Sequence, residues 1–281
     1  MKKINPNTIF KSLLRILLLI CITVFLFYTV LYFVQDKIVF MEQNISMDRV
    51  SYLRTIENVE EIFLEVSNGT KLHGWVVNNN DNSNKNLLIY FGGNGEEVSH
   101  VVNWVSTYTD YSIVLFNYRG YGLSEGKPGE KILCSDALEI YDHFINRTDS
   151  NSENVVVMGR SIGTGVATYL ANERDVDAVI LVSPYDSLVS VAEKRFFFIP
   201  AECLLKHKFK SIDRAPSITV PLTILFVVDD EIISPLHSKR LASKWGGEVE
   251  IIEFSGVGHD SILNKEEYWN VIRKTLEKYR R

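Results

Sequence analysis

The chain has 281 residues, 46% of them hydrophobic and 23% charged, with a formal net charge of -5. That aliphatic and aromatic content excludes a disordered chain, and 16 Gly with 7 Pro in no period exclude a collagen-like or low-complexity one. Lys2, Lys3, Lys11 and Arg15 put four cations and no acid into the first 15 residues, so the remainder carries -9. An acidic remainder without a basic stripe argues against a nucleic-acid partner, because phosphate neutralisation supplies most of that affinity.

From Ile16 to Val34 there are 19 residues without a charge, about 28 Å as a helix against a hydrocarbon layer of ~30 Å. A cleaved signal peptide has a shorter apolar region and small residues at its cleavage site. This run instead ends Tyr32-Phe33-Val34-Gln35-Asp36. The expectation is an uncleaved transmembrane signal anchor over 16–34, with residues 1–15 in the cytoplasm. The positive-inside rule then puts the large domain on the outer side, whether periplasmic, extracellular or lumenal. Tyr28, Tyr32 and Phe33 suit an interfacial aromatic belt at the outer end. Residues 35–58 read as a polar, partly helical stem.

Beyond Val59, short β-rich runs alternate with helical periods over about 220 residues, enough for one α/β core. Strands are expected at Glu61–Val66, Lys71–Val77, Asn86–Phe91, Ser112–Asn117, Val155–Gly159, Ala178–Val182, Leu222–Val228 and Glu248–Phe254. Runs such as LLIYF, VVVMG and AVILV are apolar without alternation, as strands covered on both faces are. Helices are expected near Glu96–Tyr108, Leu133–Asn146, Ile162–Glu173, Pro235–Lys244 and Glu266–Tyr279. The pattern predicts an α/β fold, with a mostly parallel eight-stranded sheet, helices on both faces and an antiparallel hairpin at one edge. One interval, about 186–220, lacks a strong strand and contains KRFFFIPAECLLKHKFK. It reads as a short cap over the carboxyl edge, where ligands bind in open α/β sheets. Cys21, Cys134 and Cys203 have no CxxC spacing and leave Cys134–Cys203 as the one possible pair.

Gly159-Arg160-Ser161-Ile162-Gly163 carries the chemistry. It follows a buried strand and opens a helix, and a turn of that kind forces its central residue into strained backbone with the side chain presented. Ser161 is the candidate nucleophile, at a helix N-terminus that favours developing negative charge. His259, in Gly-Val-Gly-His-Asp after the last strand, is the candidate base; His237, early in a helix, is the weaker rival. LTILFVV runs into Asp229-Asp230-Glu231, from which Asp230 is the candidate orienting acid. Asp229 serves if the strand ends one residue earlier, and Asp186 is third. The oxyanion needs two backbone N–H donors, assigned to Ile162 and to Asn94 in the Gly92-Gly93-Asn94-Gly95 loop. No HExxH, Walker loop or complete dinucleotide fingerprint is present, so no metal and no cofactor is expected.

From Val59 to the end the chain resembles the α/β-hydrolase superfamily. It looks closest to the membrane-associated branch of lysophospholipid and monoacylglycerol hydrolases and acyl-protein thioesterases. The strings YFGGNGEEVSH, FNYRGYGLSEGKPGE, GRSIGTGVA, LVSPYDSL, Asp230-Glu231-Ile232-Ile233 and GVGHDSI carry the resemblance, in that order. It implies an α/β-hydrolase domain over 59–281, with Tyr118-Arg119-Gly120-Tyr121-Gly122 shaping the site. Gly92 departs from the His-Gly-Asn triplet of many relatives and alters how the oxyanion loop is held. The expected activity is serine hydrolysis of a carboxylic ester or thioester. The anchor and the cap run Phe196, Phe197 and Phe198 point to a small-molecule or lipid acyl substrate beside a membrane. A serine peptidase or acyltransferase on the same fold, and a noncatalytic membrane scaffold, are the alternatives.

Overall fold

The computed structural model describes residues 6–78, 85–108, 110–146 and 154–280; Lys2 and Lys3 lie outside them. The strands are β1 (Val59–Glu65), β2 (Lys71–Val77), β3 (Asn86–Phe91), β4 (Ser112–Phe116), β5 (Asn154–Arg160), β6 (Ala178–Val182), β7 (Leu222–Val227) and β8 (Val249–Phe254). They form one eight-stranded sheet in the order β1-β2-β4-β3-β5-β6-β7-β8. β1 and β2 form the expected edge hairpin, β2 also pairs antiparallel with β4, and every pairing from β4 through β8 is parallel.

The helices are α1 (Pro6–Val39), α2 (Met47–Leu53), α3 (Ser99–Val105), α4 (Glu130–Ile145), α5 (Ile162–Glu173), α6 (Leu188–Arg195), the one-turn α7 (Ala201–Leu204) and α8 (Ser211–Arg214), α9 (Pro235–Ala242) and α10 (Glu266–Tyr279). They cover the sheet on both faces, and the pleat divides the strand side chains between two cores. Leu87, Ile89 and Phe91 of β3, with Val155 and Val157 of β5, pack against α4 and α5. Leu88, Tyr90, Val156 and Met158, from the same strands, pack against α2, α3 and α10. Every residue of β3, β5, β6 and β7 is buried, which is why these strands read as unbroken apolar runs.

The cap is α6, α7 and α8 with their connections. Two helix starts differ from expectation. The helix after β3 starts at Ser99 rather than Glu96, because the Glu96 carboxylate turns back to accept from Gly93 N at 2.6 Å and so belongs to the loop. α4 starts at Glu130, three residues before the predicted Leu133. The three cysteines are free, with Cys134 buried and Cys203 exposed, so the possible Cys134–Cys203 pair does not form.

The N-terminal helix extends beyond its uncharged run. α1 runs over 34 residues rather than 19, about 51 Å. Its stretch Phe10–Val39 is long and apolar enough to cross a membrane and its apolar window is unburied. Residues 35–58, read as a partly helical stem, contain α2 and pack against the rest of the chain. Phe40, Ile45, Val50 and Leu53 are buried in the two cores. Gln35 bridges to the cap through Nε2 to Leu204 O (3.1 Å) and Oε1 from Lys206 N (2.8 Å). Asp36 pairs with Lys206 and His207 at 3.1 and 3.0 Å. A polar composition looked like a stem because its apolar residues are few and spaced. Phe40, Ile45, Val50 and Leu53 are spent on packing, while Ile38, Met41, Met47 and Tyr52 stay exposed.

Candidate active site

β5 delivers the chain directly into Ser161, whose φ is 50° and ψ −119°, before α5 begins at Ile162. A non-glycine residue at that φ is strained, and the surroundings hold it there. Ser161 N donates to Val182 O at 2.9 Å, and Ser161 O accepts from Thr164 N and from Thr164 Oγ1 at 3.0 and 2.6 Å. The two flanking glycines are required by contact. A Cβ on Gly159 would lie 2.4 Å from Gly163 O, and one on Gly163 would lie 2.2 Å from Phe91 O and 2.6 Å from Gly92 O. The start of α5 therefore presses against the loop that leaves β3.

His259 reaches the same point from the loop after β8. Its Nε2 lies 3.0 Å from Ser161 Oγ and its Nδ1 lies 2.7 Å from Asp230 Oδ2. A carboxylate only accepts, so Nδ1 carries the proton and Nε2 presents a lone pair to the serine hydroxyl. Asp230 is fully partnered. Oδ1 accepts from Ile232 N (2.9 Å) and Ile233 N (2.7 Å), and Oδ2 also accepts from Ser183 Oγ at 2.9 Å. Burial works to raise its pKa, but the hydrogen bond and charge of His259, with those two N–H groups, hold it below the ordinary carboxylate value. Asp229 is exposed one residue away in the turn.

On the other side, the Gly92–Asn94 loop faces the turn. The N–H groups of Ile162 and Asn94 donate to no acceptor among the described residues. The first turn of a helix leaves such donors free, here beside Ser161. The missing histidine at Gly92 is replaced by other supports. Gly92 O accepts from Tyr118 Oη at 2.8 Å, and Asn94 Oδ1 accepts from Met41 N at 2.7 Å and from Tyr121 Oη at 3.3 Å.

Sequence reasoning missed a buried charge lock beneath this site. Arg160 Nη1 meets Glu96 Oε2 at 2.9 Å, and its Nη2 meets Asp260 Oδ1 and His259 O at 2.5 and 3.0 Å. Glu96 also accepts from Tyr90 Oη and Gly93 N. Burial works to raise the Glu96 pKa, but Arg160 together with His100 and the hydrogen bonds from Tyr90 and Gly93 N holds it below the ordinary carboxylate value. One guanidinium thus ties the end of β5, the β3 loop and the histidine loop together. Glu231 adds a second tie by accepting from His259 N at about 3.2 Å. The signal was available: an arginine inside Gly-x-Ser-x-Gly, at the end of an apolar strand, needs a buried acid.

The rival residues also meet. His237 Nδ1 lies 2.8 Å from Asp186 Oδ1, which also accepts from Ser187 N and Ser190 Oγ. This pair joins the start of α6 to α9 and does not include Ser161. Phe196 and Phe198 line a groove against α1, and Phe197 is 92% exposed. Among the described residues no three His, Cys, Asp or Glu side chains converge as metal ligands.

A protein family described as serine aminopeptidase, S33, matches residues 83–208. The alpha/beta hydrolase domain-containing protein WAV2 of Arabidopsis thaliana is 29% identical over 243 residues, covering 78% of this chain and 79% of the relative. An uncharacterized membrane protein of Saccharomyces cerevisiae is 29% identical over 225 residues, covering 77% and 79%. Among solved structures, the Pyrococcus furiosus esterase Pf2001 superposes with a TM-score of 0.62 at 19% identity, covering 80% of this chain and 91% of that one. With this sheet order, the chain has the α/β-hydrolase fold, and it is similar to members of that superfamily.

Proposed function

We propose that the chain is a serine hydrolase that cleaves a carboxylic ester or thioester through an acyl-enzyme. The observation that carries this reading is the hydrogen-bonded line from Ser161 Oγ through His259 to Asp230, at 3.0 and 2.7 Å, with the serine on a strained turn. Ser161 Oγ bonds to the carbonyl carbon as its proton passes to His259 Nε2, and Asp230 stabilises the imidazolium. The carbonyl oxygen becomes an oxyanion, received by the N–H groups of Ile162 and Asn94. Collapse of that intermediate breaks the bond to the leaving alcohol or thiol, which takes its proton from His259. Water then attacks the acyl-enzyme, gives a proton to His259, releases the acid and returns a proton to Ser161.

The membrane setting narrows the substrate. α1 is read as a single-pass anchor with a cytoplasmic N-terminus and the hydrolase domain on the outer side, and the yeast relative is called a membrane protein. The substrate is accordingly a lipidic acyl compound at the membrane surface. One observation favours peptide hydrolysis instead, namely the aminopeptidase description of the matching family. Fluorophosphonate labelling tests the reading: the intact protein labels at Ser161 and Ser161→Ala does not. A folded protein that fails to label overturns it. A panel of acyl p-nitrophenyl esters against aminoacyl p-nitroanilides separates esterase from peptidase.

A further inference from the structure

An apolar groove of about 350 Å³ runs between α1 and the cap, at the small end of the ~300–1,000 Å³ range of ligand pockets. One wall is the outer half of α1, including Phe27, Leu31 and Val39; the other is α6 and the segment after it, including Val191, Phe196 and Phe198. The cap is held at this distance from α1 by polar contacts at the edge. Tyr28 Oη donates to Phe198 O at 2.7 Å, and Gln35 and Asp36 bind the backbone and side chains of Leu204, Lys206 and His207. The groove is thus a built gap between two fixed walls.

Its position says what fills it. Phe27 and Leu31 belong to the stretch of α1 that is apolar enough to cross a membrane, so the mouth of the groove opens at hydrocarbon depth. The other end, at Val39, is joined through the chain to the Asn94 loop. Val39 lines the groove, and two residues on, within about 7 Å of chain, Met41 N bonds Asn94 of the oxyanion loop at 2.7 Å. Phe27 and Val39 are about 18 Å apart along the helix, the length scale of a long acyl chain. Charge agrees with this direction. No carboxylate lines the groove, and its charged lining is Arg195. His207, which lines the groove, also lines a neighbouring cavity of about 750 Å³ with Lys131, Lys206, Lys208, Lys210 and Arg214, against Glu130 and Asp213.

We propose that this groove binds the acyl chain of an anionic membrane lipid, which enters sideways from the bilayer between α1 and the cap, its headgroup toward Arg195 and the lysines of the neighbouring cavity. The proposal rests on the hydrolase reading of Ser161 and names its substrate class. A polar peptide or soluble ester gains nothing from a mouth at hydrocarbon depth, whereas a lipid chain moves into it without crossing water.

The test uses the full chain in vesicles of phosphatidylglycerol and phosphatidylcholine carrying a phospholipid with a photoactivatable diazirine on its acyl chain. Crosslinks mapped by mass spectrometry are expected on Leu188, Val191 and Ala192 of the cap as well as on α1. Ala192→Trp fills the groove. It should reduce the cap crosslinks and lower the ratio of long-chain to acetyl ester turnover about tenfold, the worth of about two buried methylenes. Crosslinks confined to α1, or an unchanged ratio, overturn the groove while leaving the hydrolase reading standing. Cap crosslinks in a protein that neither labels with fluorophosphonate nor turns over any ester leave the groove standing and overturn that reading. Replacing phosphatidylglycerol by phosphatidylcholine alone should weaken cap crosslinking; no change removes the anionic headgroup from the proposal.

Discussion

Two buried aspartates each hold a histidine in this molecule, and the difference between them lies in what the histidine faces. Asp230 orients His259 toward Ser161 Oγ, while Asp186 holds His237 between α6 and α9. From the sequence, the choice among Asp229, Asp230 and Asp186 turned on where a strand ended, which periodicity leaves uncertain by a residue. β7 ends at Val227, and the N–H groups of Ile232 and Ile233 converge on Asp230 Oδ1. That convergence comes from turn geometry, which no residue pattern encodes directly. Asp186 carries a stability prediction of its own. Burial acts to raise its pKa, but the hydrogen bonds from His237, Ser190 and Ser187 N bring it down to about 2. The unfolded chain, with an ordinary aspartate, binds more protons between about pH 4 and pH 2, so the native state gains stability as pH rises through that window. The contribution is fully present above pH 4 and lost as pH falls toward 2, on the order of 2 kcal/mol in all. Urea midpoints at pH 5 and pH 3 should fall less steeply with acid in Asp186→Asn than in the parent protein. Equal slopes would show that the pair has no part in acid stability.

At the scale of elements, the strands were the most legible and the loops the least. Burial on both faces writes itself into β3, β5, β6 and β7 as unbroken apolar runs, so their ends shifted by two residues at most. α5 was legible at both ends for another reason. Gly163 and the residues after it are small because the helix starts against the backbone of Phe91 and Gly92. The α3 start was misread because Glu96, an acid ahead of an apolar run, looks like an ordinary first-turn helix residue. Its carboxylate instead serves Gly93 N, Tyr90 Oη and Arg160, none of which a local window joins. The close contact at Gly163 gives a prediction that separates packing from chemistry. Gly163→Ala adds a methyl against two backbone oxygens that cannot rotate away, so α5 or the β3 loop must shift. The cost should be about 1–3 kcal/mol in unfolding free energy. Acyl-ester kcat should fall further than stability explains, up to about 100-fold for an ångström of displacement. Thermal unfolding and steady-state kinetics on the same preparation decide it: loss of Tm with unchanged kcat would mean that the oxyanion loop does not depend on this contact.

Across the whole molecule, the long apolar helix α1 and the candidate site are connected through a few residues. The composition separates a basic tip and an uncharged run from an acidic remainder, with a polar stem read between them. The structure joins them instead. Phe40 enters the core, Met41 N bonds Asn94 Oδ1, and Gln43 O accepts from Gly122 N in the loop that carries Tyr121. This junction was illegible in sequence because its bonds come from main-chain atoms, which any residue supplies. It makes the position of a truncation matter more than its length. A chain beginning at Phe40 keeps Phe40, Met41 and Gln43 in place and loses only α1. A chain beginning at Ser46 loses all three, and the Asn94 amide and the Gly122 loop lose partners on the same side of the site. Both truncations remove the wall of the groove, so a short soluble ester is the substrate to use. The first should retain acetyl ester kcat within about threefold of the full chain, as changes away from a packed feature do. The second should lose at least about tenfold, because a loop freed to move misplaces an oxyanion donor. Circular dichroism and thermal unfolding of both chains separate lost positioning from lost folding. Equal activity in two folded truncations would make residues 40–45 a stem only, and equal loss in both would place the coupling in α1 itself.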